Sequence, residues 1–437
     1  MDPISVCAVS QSFYPYMGGL TRYVNALAKY LMKMGNEFRI IHFKTDTIPP
    51  IDFSEGIELL RVNIGKLGKD KIANYMRFKE IIIEATHGSK NATELYEKRF
   101  ELGFNDYLDV NKRVASEIKD VYDHKPFDIL HIHDFQILPV RVFLDKTFDK
   151  IPVIFTWHIP FTGRIEPAWK DFLRDYMSKY DKIVLSTEEY VKAAESAGIV
   201  KSKLVKINPF IDPEEYRYEG ENDVRQKFGI GNSLMLLCVS RMDPRKGQDV
   251  LINAVKKVFD ARPEFRNKIK CVFVGNGSFS KELMNKERSG LQEKFRELAV
   301  SLGVNGNVIF TGHVPDNDLN KFYDACDIVV QPSRQEGFGL TVSEGMLFGK
   351  PVIGSEVGGI PEQIKDGVNG FLFTAGDSQQ LAEALIKLID DENLRKSMGE
   401  NGKTFAANMF TVERGYNDHI KLYGGVLADF RKRFPED

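Results

Sequence analysis

Two glutamates, Glu336 and Glu344, stand eight positions apart in Pro332-Ser333-Arg334-Gln335-Glu336-Gly337-Phe338-Gly339-Leu340-Thr341-Val342-Ser343-Glu344-Gly345. The run before them, Asp327-Ile328-Val329-Val330-Gln331, is β-branched and bounded by Pro332, which reads as a buried parallel strand. Thr341 to Leu347 is helix-competent and ends at Gly349. Gly337, Phe338, Gly339 and Leu340 therefore lie on a turn feeding a helix N-terminus, where backbone N–H groups lack helical partners and suit phosphate or sugar oxygens. Eight residues are about two helical turns, so both carboxylates can face one cleft. The plainer reading of such a pair, taken alone, is a solvated loop charge and a surface helix residue.

A second group is cationic. Leu234 to Ser240 reads as a strand, followed by Arg241-Met242-Asp243-Pro244-Arg245-Lys246-Gly247 and a helix from Gln248 to Val258. Arg241 at the strand tip and Lys246 near the helix start converge where a diphosphate could lie, one a planar two-pronged donor and the other a compact point charge. Taken alone, this charge run is a solvated loop. Near the N-terminus a strand from Ile4 to Val9 leads to Gly18-Gly19, after which Val24, Leu27, Ala28 and Leu31 keep helical spacing. That glycine pair either sets bare N–H groups where the helix dipole favours a phosphate, or simply makes a tight turn.

Histidines mark two more strand tips. Asp128-Ile129-Leu130-His131-Ile132-His133-Asp134 carries His133 and Asp134 past a strand end, and Ile151 to Phe161 carries His158 past another. Residues just beyond the carboxyl ends of parallel strands face the ligand crevice. His131 and His133, two apart with no third ligand nearby, are a weak metal pair, and no metal site is assigned. Gly275-Asn276-Gly277 lacks a third glycine because Ser280 occupies that place, so the dinucleotide fingerprint is incomplete, although the turn still fits close approach of a nucleotide at Gly275. Asp316-Asn317-Asp318 has the form of a metal-binding Asp-x-Asp, but it precedes Leu319-Asn320-Lys321-Phe322-Tyr323 and reads as a helix cap.

The Glu-x7-Glu frame, with Gly349-Lys350-Pro351-Val352-Ile353 and Gly358-Gly359-Ile360-Pro361-Glu362 after it, resembles the signature of retaining GT-B glycosyltransferases, particularly glycosyltransferase family 4. The resemblance implies an α/β GT-B fold, two Rossmann-like domains with parallel sheets facing a central cleft. It implies a hexosyltransferase that moves a hexose from a nucleotide-diphosphate sugar to an acceptor hydroxyl with retained configuration, needing neither metal nor other cofactor. Gly18, Gly19, Arg241 and Lys246 would then hold the diphosphate. Glu336 and the N–H groups of Gly337 to Leu340 would hold the sugar, Glu344 the ribose, and His158 the region of the anomeric carbon. Backbone next to Val314 would meet the base, and His133 and Asp134 the acceptor. Two positions depart from the family pattern. Met17, preceded by Tyr16, stands before the glycine pair where starch and glycogen synthases place Lys two positions ahead, and Pro209 replaces Gly in the interdomain connector Asn208-Pro209-Phe210-Ile211-Asp212. A GT-B sugar-nucleotide epimerase and a non-catalytic nucleotide-sugar binding module are the alternatives. The intact set Gly18, His158, Arg241, Lys246, Glu336 and Glu344 argues against the binding module.

These residues need a large α/β scaffold. At 437 residues the chain exceeds one ordinary core, so two domains are expected. The first is read as 1–208, with a helical, aromatic-bearing insertion at about 65–124 where the resemblance would write acceptor identity, or which is a helical cover with its aromatics in the packing. The second is read as 209–410, and a last helix at 411–437 would, by the resemblance, cross back to the first. With 60 basic and 62 acidic side chains there is no basic excess for nucleic acid. The scattered Cys7, Cys238, Cys271 and Cys326 read as buried thiols in a reducing compartment. No run of about 18 apolar residues and no leader is seen, so a cytoplasmic protein without a membrane span is expected, in which the sequons at Asn91 and Asn276 carry no glycan. A sugar, sugar acid, polysaccharide or lipid could each serve as acceptor.

Overall fold

A computed structural model describes residues 3–13, 19–43, 51–54, 56–275 and 290–434, with backbone alone at 51–54 and at Asp316 and Asn317. The chain divides into two compact units, Met1–Phe210 with Val412–Asp437, and Ile211–Thr411.

In the first unit β1 (Ser5–Val9), β2 (Glu37–Phe43), β3 (Ile51–Ser54), β4 (Ile57–Val62), β5 (Ile129–His133), β6 (Val153–Thr156), β7 (Lys182–Leu185) and β8 (Leu204–Lys206) build one sheet in the order β3-β4-β2-β1-β5-β6-β7-β8. All neighbours are parallel except β3 and β4, which form an antiparallel edge. Because side chains alternate across a strand, the sheet feeds two cores. Val6, Ala8, Ile40, Ile129 and Ile154 pack one face against Val24, Leu27 and Leu31 of the helix Gly19–Lys33, and against Leu422, Tyr423 and Val426 of the last helix, Val412–Arg433. Cys7, Val9, Ile41, Leu130, Ile132 and Phe155 pack the other face.

That second face receives the insertion, as the helices Lys69–Thr86, Ala92–Glu97 and Phe104–His124. Its aromatics are largely core. Tyr75, Phe78 and Tyr107 are fully buried, and the Phe78 ring lies 6.2 Å from Trp169 and 6.4 Å from Phe172, whereas Phe100 is exposed.

The second unit holds β9 (Leu234–Val239), β10 (Ile269–Val274), β11 (Val308–Gly312), β12 (Ile328–Gln331), β13 (Val352–Ser355) and β14 (Gly370–Phe373), parallel throughout in the order β11-β10-β9-β12-β13-β14. Each sheet therefore has one place where strand order reverses, between β1 and β5 in the first and between β9 and β12 in the second. Loops leaving such strands at their carboxyl ends diverge and open a crevice, which is where open α/β sheets bind ligands. The four cysteines are buried and free, and among the described residues no helix is long and apolar enough to cross a membrane.

Candidate active site

The reversal between β9 and β12 brings Lys246 and Glu336 together. Lys246 ends the single turn Pro244–Lys246 after β9, and Glu336 lies on the loop after β12. Lys246 Nζ donates to Glu336 Oε1 at 2.8 Å and to Oε2 at 2.7 Å, with the two side chains only 18% and 12% exposed. Glu336 also accepts from Gln331 Nε2 at 2.9 Å, Ser333 Oγ at 3.1 Å and the Gly337 N–H at 3.2 Å. Burial alone would raise this carboxyl, but the Lys246 ammonium and the Ser333 and Gln331 donors outweigh it and hold Glu336 below the ordinary carboxylate range. Both its oxygens are engaged by protein, so a ligand hydroxyl reaches Glu336 only by taking over one of these bonds.

The two loops are fastened at backbone level. The Arg245 carbonyl accepts the N–H groups of Arg334 at 2.7 Å and Gln335 at 3.1 Å. Gly247 has a left-handed backbone, φ 69°, and a Cβ there would lie 1.9 Å from the Pro332 carbonyl oxygen. Only glycine permits that approach. Arg245 spends its guanidinium on Asp243, at 3.0 and 2.6 Å. Arg241 is exposed at the end of β9, its carbonyl held by Gln248 Nε2 at 2.7 Å.

Glu344 has a separate set of partners. It is buried on the helix Leu340–Leu347 and accepts from Tyr216 Oη at 2.9 Å and Tyr323 Oη at 2.5 Å. Gly339, φ 83°, occupies the N-cap of that helix and supplies no capping side chain. The Phe338 carbonyl is held by Gln363 Nε2 at 2.7 Å, so Gly337, Phe338 and Gly339 are braced from the Gly358-Gly359 turn. Sequence reasoning assigned no role to Gln331, Ser333, Gly247, Tyr216, Tyr323 or Gln363. A polar residue closing an apolar strand was an available signal for Gln331, whereas Tyr216 lies 128 positions from its partner and gave none.

Beside these loops, Gly275, φ 128°, hydrogen-bonds the Gly312 carbonyl at 2.9 Å and lies against β9, where a Cβ would meet the Ser240 carbonyl oxygen at 2.2 Å. Val314 is partly buried two residues beyond β11. Asn276 and Gly277 lie outside the described residues. The cap assigned to Asp316-Asn317-Asp318 needs correcting. Pro315 holds the N-cap position without a side-chain cap bond, and Asp318 stands within the first turn, paired with Lys321 at 2.9 Å. An acid there still suits the helix dipole.

In the first unit Gly19 opens the helix Gly19–Lys33 and is exposed, while Gly18 lies outside the described residues. His133 and His158 are joined, His133 Nδ1 to His158 Nε2 at 3.1 Å, and His133 is fully buried with its Nε2 lacking a partner among the described residues. Asp134 accepts the His158 N–H at 3.2 Å and has φ 74°, the positive φ of a non-glycine residue at a strand tip. Backbone strain of that kind collects at functional sites. Burial raises the Asp134 carboxyl to about 6 against the pull of the His158 and Phe135 N–H groups. His131 stacks on His133 with centroids 4.1 Å apart, and Tyr23 Oη meets His419 Nε2 at 3.0 Å.

Residues 17–215 match the family described as Glycosyltransferase Family 4, and residues 221–405 match Glycosyl transferases group 1. The trehalose synthase of Thermococcus litoralis is 30% identical over 333 residues, 74% of each chain. The N-acetyl-alpha-D-glucosaminyl L-malate synthase of Bacillus anthracis is 24% identical over 422 residues, 95% of this chain and 96% of that one. The solved alpha,alpha-trehalose-phosphate synthase (UDP-forming) of Burkholderia vietnamiensis superposes with a TM-score of 0.77 at 18% identity, covering 96% of both chains. Two Rossmann-like domains of this order are the GT-B fold, and the protein is an enzyme, a glycosyltransferase of the hexosyltransferase kind. Within that class the chain belongs to glycosyltransferase family 4.

Two predictions follow from this geometry. Gly247→Ala should cost about 1–3 kcal/mol of second-domain stability by forcing the loops apart, and turnover should fall with it. Gly229→Ala is the comparison, since φ is also positive there, at 61°, but nothing lies within 4 Å. Denaturant midpoints and turnover of both variants check this, and equal effects would show that the Pro332 contact is unimportant. The second concerns pH. His42, His131, His133 and His419 are at most 2% exposed, and burial pulls each imidazole below its usual value, His42 and His419 to about 4. Folded and unfolded forms are both neutral above about pH 6.5, and only the unfolded chain gains protons just below it, at a cost on the order of 1.4 kcal/mol per histidine at pH 5.5. Trp157 and Trp169, the two tryptophans of the chain, both lie in the first unit, so unfolding followed by their fluorescence reports that unit. Its stability should drop steeply from pH 7.5 to 5.5. A flat profile would contradict neutral burial of the four rings.

Proposed function

We propose that the enzyme transfers a hexose from a nucleoside-diphosphate hexose to an acceptor hydroxyl, with retention of anomeric configuration and without a metal ion. The observation that carries this reading is the Lys246–Glu336 pair at the reversal of the second sheet. An ammonium already partnered by a carboxylate can be shared with an incoming diphosphate, and as the phosphate draws on Lys246 an oxygen of Glu336 is released for the hydroxyls of the sugar. Binding of the two halves of the donor is thereby coupled. Arg241, just past β9, adds a second positive charge, and Gly18 and Gly19 are assigned to the same phosphates, Gly19 as the opening residue of a helix. These groups replace the ion that an Asp-x-Asp site would hold.

As the glycosidic bond breaks, negative charge grows on the leaving diphosphate. A preorganised cationic site stabilises that charge more than it stabilises the bound donor, which is what raises turnover. The leaving phosphate, on the same face as the acceptor, takes the proton of the attacking hydroxyl. The Gly337 to Leu340 backbone serves the sugar, Glu344 the ribose, Gly275 and Val314 the base, and His158 the region of the anomeric carbon. His133, bonded to His158, and Asp134, bonded to its N–H, are assigned to the acceptor side. The UDP-forming relative supports a uridine donor.

The test is transfer from UDP-, ADP- and GDP-glucose to a range of acceptors after exhaustive EDTA treatment, with proton NMR of fresh product. An α-glycoside formed without metal is expected, with kcat/KM of Lys246→Ala and Arg241→Ala reduced by about 2–4 kcal/mol in transition-state stabilisation. A β-glycoside, or activity abolished by EDTA and restored by magnesium, overturns the mechanism. An altered sugar nucleotide formed without acceptor would establish the epimerase instead.

A further inference from the structure

The loops at the reversal of the first sheet meet a buried ammonium that none of the roles above uses. Lys79, on the helix Lys69–Thr86, is 7% exposed and donates from Nζ to Gln11 Oε1 at 2.8 Å. Gln11 follows β1 and Gln136 follows β5, the two strands between which the order turns back. Tyr75, one turn earlier on the same helix, reaches both. Its hydroxyl lies 3.4 Å from Gln11 Oε1 and 3.4 Å from the Gln136 carbonyl, and its ring centroid is 5.4 Å from the Lys79 ammonium.

Among the described residues, the groups in contact with this ammonium, an amide oxygen and an aromatic face, are neutral. Asp134 and Glu80 act on it only through space, and the Asp134 carboxylate is already bonded by the His158 N–H. Burial pulls Lys79 down to about 8, which still leaves it mostly charged at neutral pH. A desolvated cation without a contacting counter-charge is expensive to maintain. Nearby, the side-chain oxygen of Gln136 is buried with no donor among the described residues. This crevice thus holds a cation waiting for an anion beside an acceptor waiting for a hydroxyl.

We infer that Lys79 sets acceptor specificity by pairing with anionic oxygens, of a phosphate or a carboxylate, carried by the acceptor molecule, and that Gln11 holds the ammonium until that anion displaces it. The inference rests on the glycosyl-transfer reading and narrows its acceptor to an anionic hydroxyl compound.

Two measurements on the full chain test it. Transfer to glucose, glucose 6-phosphate and glucuronate is compared in the wild type, Lys79→Met and Lys79→Arg. At least one anionic acceptor should exceed glucose by tenfold or more in kcat/KM, Lys79→Met should lose that advantage through acceptor KM, and Lys79→Arg should recover part of it. Separately, inorganic phosphate and acetate are titrated against sodium chloride at equal ionic strength, following thermal stability. One of them should act on the wild type and be at least tenfold weaker on Lys79→Met and on Gln11→Glu, which gives Lys79 a permanent counter-charge. The phosphate and acetate arms tell the two anion types apart. Equal use of glucose by the wild type, equal loss on all three acceptors in Lys79→Met, or anion effects indifferent to Lys79 and Gln11 overturns the inference. Lys79-dependent anion binding without transfer to any acceptor supports the anion site and sinks the transfer reading alone. Transfer indifferent to acceptor charge sinks only the inference.

Discussion

The second domain depends on one close approach, the loop after β9 lying directly on the loop after β12. Gly247 makes it possible, because any side chain there would collide with the Pro332 carbonyl. The Arg245 carbonyl makes it specific, taking two consecutive N–H groups of the opposite loop. What the approach secures is a nearly buried carboxylate facing a nearly buried ammonium. Each charge leans on the other, since removing one partner of such a pair typically costs about 3–5 kcal/mol. Loop geometry and site electrostatics are therefore one constraint, and the braces from Gln331, Ser333 and Gln363 are its consequences.

The first domain solves a different problem at its sheet edge. Its polar groups are mainly neutral rings, stacked and mutually hydrogen-bonded around His131, His133, His158 and Tyr23. Neutral rings can be buried at modest cost if their nitrogens find partners. Among the described residues, Asp134 and Lys79 bring charge to that edge, one on a strained strand tip and the other on a helix of the insertion. The two sites thus carry charge differently, as a direct ion pair between Lys246 and Glu336 and as separate groups at Asp134 and Lys79.

Much of the fold was legible because every strand of a parallel sheet is buried on both faces and so reads as an apolar run ending in polar residues. β1, β5, β6, β9 and β12 were recognisable in this way, and with them the tips bearing His133, His158, Arg241 and the approach to Glu336. The antiparallel β3 was not, since four residues are too few for a pattern. The pairing of Lys246 with Glu336 was not readable either. It spans 90 positions and follows from strand order, which no local pattern encodes. The insertion was read equally well as the place of acceptor identity or as a helical cover with its aromatics in the packing, and Tyr75, Phe78 and Tyr107 lie in the core, while the polar Lys79 beside them drew no attention. Gln363 and Tyr323 acquire roles only through tertiary contact.

The placement of Val412–Arg433 bears on how the polypeptide is made. This helix covers the face of the first sheet formed by Val6, Ala8 and Ile40, yet it is synthesised after the whole of Ile211–Thr411. During synthesis, which proceeds at about 5–20 residues per second, the second unit has its full sequence before the first does. For that interval, on the order of ten seconds or more, part of an apolar sheet face waits uncovered. The earlier-encoded unit is thus the later one to finish, and the nascent chain exposes an apolar face that the folded enzyme covers.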